Sequence, residues 1–158
     1  MRETKLNTLR PAELIQAIQI HYLAGKPIMV WGSPGTAKSS CARQAADIIA
    51  QQLVEEGKIK SVDEFIFNDL RGSQLDSVDT RGFPYRNGEV MSFLQPEFIQ
   101  KEGYGILFLD EINSSSLAVQ ASFYQLINDH RVGEHILSPN VFIIAAGNME
   151  TDRAITNR

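Results

Sequence analysis

Two apolar runs constrain this sequence most strongly, because neither has a polar face. Residues 105–109 read GILFL, and residues 141–146 read VFIIAA. A strand that is apolar on both faces must be covered on both sides, as in parallel sheets flanked by helices. Strands and helical segments alternate along the rest of the chain. The pattern therefore predicts an α/β fold of three layers, with a mainly parallel sheet between helices.

Apolar periodicity and turn residues predict the individual elements. We expect helices from Pro11 to Gly25 and from Lys38 to Gly57, a short helix over 96–101, and one capped by a serine at 114–116. Leu14, Ile15, Ile18, Tyr22 and Leu23 share a face of the first helix. Short strands are expected at 27–31, where Trp31 is assigned to the core, and at 65–67. Asn87-Gly88 and the surroundings of Gly133 predict hairpins.

Composition narrows the class of protein. The chain has 158 residues, 43% apolar and 22% charged, so we expect one globular domain over 1–158. A net charge of -4 gives no electrostatic reason to expect nucleic acid or a membrane surface as partner. No run approaches the ~18 apolar residues of a membrane span, and no signal peptide is recognisable. A single cysteine excludes an internal disulfide, and a cytoplasmic location is the simplest expectation.

The glycine-rich turn after the first strand carries the clearest chemical signal. Residues 32–39 read GSPGTAKS, close to the phosphate-loop pattern G-x-x-x-x-G-K-[ST] between a strand and a helix. Backbone amides and a helix N-terminus bind phosphate oxygens, Lys38 bridges terminal phosphates, and Ser39 offers a hydroxyl to Mg²⁺. The predicted nucleotide-binding residues are Gly32, Ser33, Pro34, Gly35, Thr36, Ala37, Lys38, Ser39 and Ser40. The alternative is a strand-to-helix turn without a ligand.

Ala37 departs from the pattern, which has glycine at this position. If the backbone there requires a positive φ, alanine costs roughly 1–2 kcal/mol. If the position is already helical, alanine is harmless. The sequence leaves both conformations open.

Polar residues follow both apolar strands. Asp110 and Glu111 end the first, and carboxylates at the tip of a buried strand are costly unless a cation lies nearby. Asp110 is predicted to hold Mg²⁺, and Glu111 to orient and deprotonate an attacking water. Asn148 follows the second strand and is predicted to position that water or to contact the γ-phosphate. The alternatives are an acidic helix N-terminus and an ordinary turn residue.

Together these strings resemble AAA+ ATPases of the MoxR-type and dynein-related branch. The resemblance rests on GSPGTAKS (32–39), LFLDEIN (107–113) and AAGNMETDR (145–153), and AKS before the helix is itself found in that branch. It implies a P-loop NTPase fold, with Walker A at Lys38 and Ser39, Walker B at Asp110 and Glu111, and sensor 1 at Asn148. It also implies ATP and Mg²⁺ binding, a ring that is usually a hexamer, and chaperone-like remodelling of a protein client. The client often carries a von Willebrand A-type domain.

One departure from the family bears on activity. The sequence ends at Arg158, whereas the family continues with a fifth strand, an arginine finger and a helical lid. We therefore expect an AAA+ core that is incomplete at its C-terminus and slow in isolation. A nucleotide-gated binding module with little hydrolysis is one alternative. Others are a small-molecule phosphotransferase and, because DLRG (69–72) and DTRG (79–82) fit D-x-x-G, a GTPase.

An insert over 79–90 also resembles the family. Its segment 82–85, GFPY, is expected either to pack its aromatic pair into the core or to grip a client in a ring channel. The core-packed arrangement is the favoured expectation.

Overall fold

A four-stranded parallel sheet organises the chain in the computed structural model, which describes residues 8–149. The strands are β1 (Ile28–Trp31), β2 (Ile66–Arg71), β3 (Pro84–Asn87), β4 (Val90–Phe93), β5 (Gly105–Asp110), β6 (Arg131–Val132), β7 (His135–Ile136) and β8 (Val141–Gly147). The main sheet has the order β1-β8-β5-β2, and every neighbouring pair is parallel. β3 with β4 and β6 with β7 form antiparallel hairpins.

Helices cover both faces of this sheet. They are α1 (Pro11–Ala24), α2 (Lys38–Glu55), α3 (Ser77–Arg81) and α4 (Leu117–Asp129), with short 3₁₀ turns at Val62–Glu64, Gly72–Gln74 and Ile112–Ser114. Successive residues of β5 alternate between two cores: Ile106 and Phe108 pack with α1 and α2, whereas Leu107 and Leu109 pack with α4. The predicted three-layer α/β fold is confirmed.

The helix ends follow the residue types that the sequence provides. α1 ends at Gly25, whose φ of 64° lets its amide reach back to the Tyr22 carbonyl. α4 begins after Ser116, whose side chain accepts a hydrogen bond from the Val119 amide. No helix within residues 8–149 is both long and apolar enough to span a bilayer.

Four local expectations were wrong. Residues 96–101 form a turn, in which the Ile99 amide donates to the Pro96 carbonyl, and not a helix. The β3–β4 turn is Gly88-Glu89, because Asn87 still pairs with Val90 across the hairpin. Leu23, which was expected on the apolar face of the first helix, is 80% exposed at the end of α1. Trp31 is 46% exposed, because within residues 8–149 β1 is paired on one side only, with β8.

The aromatic pair of the insert is also exposed, contrary to the favoured expectation. Phe83 is 65% exposed and Tyr85 is 42% exposed. Val90 and Met91 on the paired strand are exposed too. The β3–β4 hairpin therefore presents apolar side chains to solvent.

Candidate functional site

The carboxyl ends of the parallel strands bring the three predicted strings to one edge of the sheet. Beyond this edge lies a cleft of about 470 Å³. Its lining residues are Pro34, Gly35, Thr36, Ala37, Lys38, Ser39, Ser40, Arg71, Asp110, Glu111 and Asn148. Gly32 and Ser33 precede this lining, and the Gly32 amide donates to the Gly147 carbonyl at 3.3 Å, which joins the loop to the end of β8. All predicted site residues therefore lie in or beside one cleft.

The loop between β1 and α2 turns through two left-handed residues. Gly35 has a φ of 78°, and Ala37 has a φ of 58° with a ψ of 22°. The positive φ at Ala37 is the strained one of the two conformations that the sequence leaves open. The Thr36 hydroxyl donates to the Ser33 carbonyl at 2.8 Å and closes the turn.

Lys38 extends its ammonium group back across the loop. Nζ donates to the carbonyls of Gly32 at 2.8 Å and Ser33 at 3.1 Å, and to Oδ1 of Asn148 at 3.4 Å. These contacts hold the positive charge between the loop and the end of β8. An anion entering the cleft would thus meet an ammonium group that is already oriented.

The Ser39 hydroxyl, at the first turn of α2, contacts a carboxylate on β2. Its Oγ donates to Oδ2 of Asp69 at 3.4 Å. The same oxygen accepts from Nη2 of Arg43 at 3.2 Å, and this guanidinium also lies 4.5 Å from the centre of the Phe67 ring. Asp69 thereby adds a second carboxylate next to the predicted metal ligands.

Asp110 and Glu111 occupy the tip of β5 in different environments. Asp110 Oδ1 accepts from the Glu111 amide at 2.8 Å. Burial raises the pKa of the Asp110 carboxyl above 3.8, and the charges of Glu111 and Asp69 add to this effect, although Lys38 and the Glu111 amide oppose it. Glu111 has a φ of 54°, and its carboxylate accepts a hydrogen bond from the Ser73 hydroxyl.

The donor set at this edge suits magnesium. A hydroxyl and carboxylates are hard oxygen donors, which Mg²⁺ prefers, and a partly buried carboxylate beside two others favours a cation. Within residues 8–149 no group of three or more His, Cys, Asp or Glu side chains could hold a metal unaided. This is compatible with magnesium, which usually takes few protein ligands and completes its shell with water and phosphate.

Asn148 follows β8 and faces the loop lysine. Its backbone is bound by Asn113, whose side chain forms two hydrogen bonds with it. The end of the third string, residues 150–153, lies outside the described residues.

Sequence reasoning missed several residues at this site. Ser73 contacts Glu111, which is 38 positions further along the chain, and Asn113 contacts Asn148, which is 35 positions further along. No local sequence pattern reveals contacts over such separations. Asp69 and Arg71 belong to DLRG (69–72), which the sequence relates only to the D-x-x-G pattern. The one available signal was that both follow the short apolar segment 65–67, at the end of a parallel strand.

The parallel sheet, the loop and the carboxylates at the tip of β5 define a P-loop NTPase fold. The model of the AAA domain family, dynein-related subfamily, matches residues 27–153. The chain belongs to this family, and the predicted AAA+ core of the dynein-related branch is confirmed.

Solved structures agree with this fold. A proposed ATPase from Cytophaga hutchinsonii superimposes with a TM-score of 0.58 at 17% identity, covering 88% of this chain and 39% of that protein. NtrX from Brucella abortus gives a TM-score of 0.54 at 17% identity, covering 96% and 33%. NtrX in complex with ATP gives 0.51 at 17%, covering 98% and 32%. The chain thus spans less than half of each of these proteins. No curated protein matches it in sequence.

Proposed function

We propose that this chain binds ATP with Mg²⁺ and hydrolyses it, as the nucleotide-binding part of an AAA+ machine that remodels a partner protein. One observation carries the proposal: Lys38, Ser39, Asp110, Glu111 and Asn148 converge on a single cleft of about 470 Å³. The fold neighbour NtrX has been solved with ATP and with ADP, which supports a nucleotide as the occupant.

Each residue has a role that follows from its chemistry. The loop amides and Lys38 bind the phosphates, and Ser39 and Asp110 hold the magnesium. Bound magnesium would neutralise the charge of the phosphate oxygens. Glu111 takes a proton from the water that attacks the γ-phosphorus, while the bond from that phosphorus to the bridging oxygen breaks. Asn148 positions the water or the γ-phosphate.

A nucleotide-gated binding module with little hydrolysis is a second candidate. It is favoured by the Ser73 hydroxyl, which donates a hydrogen bond to the Glu111 carboxylate. This contact engages one of the two carboxylate oxygens, which leaves fewer acceptor positions for a proton from water. The two candidates differ in turnover, and both require ATP binding.

The test compares wild type with Glu111→Gln. Phosphate release measures turnover, and the fluorescence of Trp31, the one tryptophan, measures binding of Mg·ATP. Loss of a general base should lower turnover by about 10²–10⁴-fold while ATP affinity is kept. Equal turnover in the two proteins would support the binding module, and no fluorescence or calorimetric response to Mg·ATP would refute both candidates. The same titration with GTP tests the GTPase alternative.

The proposed partner and assembly rest on an exposed surface of the chain and on its family. The exposed apolar hairpin β3–β4, with Met91 on its surface and Phe83 directly before it, is suited to contact a protein client. A homo-oligomeric ring, usually a hexamer, with ATP at the subunit boundaries follows from the family, as does a client with a von Willebrand A-type domain. Sedimentation velocity with and without Mg·ATP tests the ring.

A further inference from the structure

We propose that Asn113 is a positioning residue, which sets the place of Asn148 in the cleft through that residue's backbone. The Asn113 side chain donates from Nδ2 to the Asn148 carbonyl at 2.7 Å. Its Oδ1 accepts from the Asn148 amide at 3.0 Å. One side chain therefore satisfies both backbone groups of the residue predicted to contact the water or the γ-phosphate. This inference rests on the proposed function.

The geometry explains why a side chain is needed there. Pairing between β5 and β8 runs from Gly105 with Val141 to Leu109 with Ala145. The chain then leaves the sheet, because Glu111 adopts a left-handed conformation and a 3₁₀ turn follows at Ile112–Ser114. Asn148 lies beyond the end of this ladder. A carboxamide offers an N–H donor beside a C=O acceptor, as the peptide backbone does, so Asn113 extends the pairing of β5 by one step.

The extended pairing reaches the phosphate loop. Oδ1 of Asn148 is 3.4 Å from Nζ of Lys38, so fixing the Asn148 backbone also fixes where its side chain meets the lysine. Asn113 follows Asp110 by three residues on the same turn. Asn113 thereby fixes the distance between the carboxylates at the tip of β5 and the side chain of Asn148. Misplacement of a catalytic group by about 1 Å can lower the rate about 10²-fold.

The first test uses the ligand-free protein, so it does not depend on hydrolysis. We expect Asn113→Ala to raise the hydrogen-exchange rate of the Asn148 amide by about 5- to 10-fold, since one hydrogen bond is lost. Asn113→Asp keeps the acceptor and should keep that amide protected. Asn128→Ala, an exposed change on α4, is the matched control. Unchanged exchange in Asn113→Ala would overturn the proposal.

The second test is a double-mutant cycle on turnover. If Asn113 acts through Asn148, then Asn113→Ala should lower kcat by about 10-fold or more with ATP affinity kept, and should have no further effect in Asn148→Ala. Independent, multiplying effects would contradict a positioning role. Absence of turnover in wild type would instead refute the proposed hydrolysis, and the exchange test would still decide the role of Asn113.

Discussion

Replacing Ala37 by glycine should stabilise the protein, although the same replacement weakens most helices. Ala37 has a φ of 58° and a ψ of 22°, and it directly precedes the first residue of α2. A left-handed conformation costs a residue with a Cβ about 1–2 kcal/mol. Glycine removes this cost but adds about 0.5–1 kcal/mol of unfolded-state entropy. The difference is a net gain of about 0.5–1 kcal/mol.

Ala121 provides a matched control, because it is exposed in the right-handed interior of α4. Glycine there should cost about 1 kcal/mol. Alanine to glycine should thus raise the free energy of unfolding at position 37 and lower it at position 121. The two variants should differ by about 1.5–2 kcal/mol.

Urea unfolding of wild type, Ala37→Gly and Ala121→Gly measures the difference, provided that the denaturant slope is the same for all three. In a chain of this length, 1 kcal/mol corresponds to a shift in Tm of about 2–4 °C. A loss of stability in Ala37→Gly equal to that in Ala121→Gly would show that residue 37 is right-handed. The strain assigned to the loop would then be wrong.

Three further predictions concern the same edge of the sheet. The pKa of Asp110 is higher in the folded protein than its ordinary value of 3.8, so ionising this carboxyl destabilises the fold as pH rises above 3.8. We therefore expect Asp110→Asn to stabilise the ligand-free protein at pH 7, by an amount that shrinks as pH falls towards 3.8. Urea midpoints measured against pH check this, and a constant gain contradicts it. Lys38→Ala should weaken Mg·ATP binding by about 10–100-fold in a Trp31 fluorescence titration, whereas the exposed Lys60→Ala should not. In Gly147→Ala the new methyl group would lie 2.6 Å from Cζ3 of Trp31, so the indole ring must move outward into solvent. The tryptophan fluorescence should then shift to longer wavelength, and an unchanged spectrum would contradict this packing.

Burial and periodicity made the layers of the fold predictable. β5 and β8 have no polar face, and the small and apolar residues of α2 recur at helical spacing, so each segment could be buried in only one way. The strand-loop-helix context of residues 32–39 was sufficient to predict the edge of the sheet at which the site lies. These inferences need only local sequence.

Other features depend on contacts that local sequence does not encode. The φ of Ala37 follows from closure of the loop between β1 and α2, and alanine itself is compatible with either conformation. Trp31 belongs to an apolar run, yet it is 46% exposed, because among the described strands β1 pairs only with β8. The observed β3–β4 turn lies one residue after the predicted one. Both Asn87-Gly88 and Gly88-Glu89 place Gly88 at a turn position with a positive φ, so the local sequence does not distinguish between them.

The order of strands has a consequence for biosynthesis. β8 comes last along the chain among the four described strands of the sheet, but it lies between β1 and β5, and its Ile144 pairs with Ile28. A growing polypeptide can join β2 to β5 early, yet β1 has no partner until residue 147 has left the ribosome. Pairing over such a long sequence separation is slow, and apolar strands stay open to aggregation meanwhile. The four described strands can therefore pair as one sheet only after β8 has been synthesised.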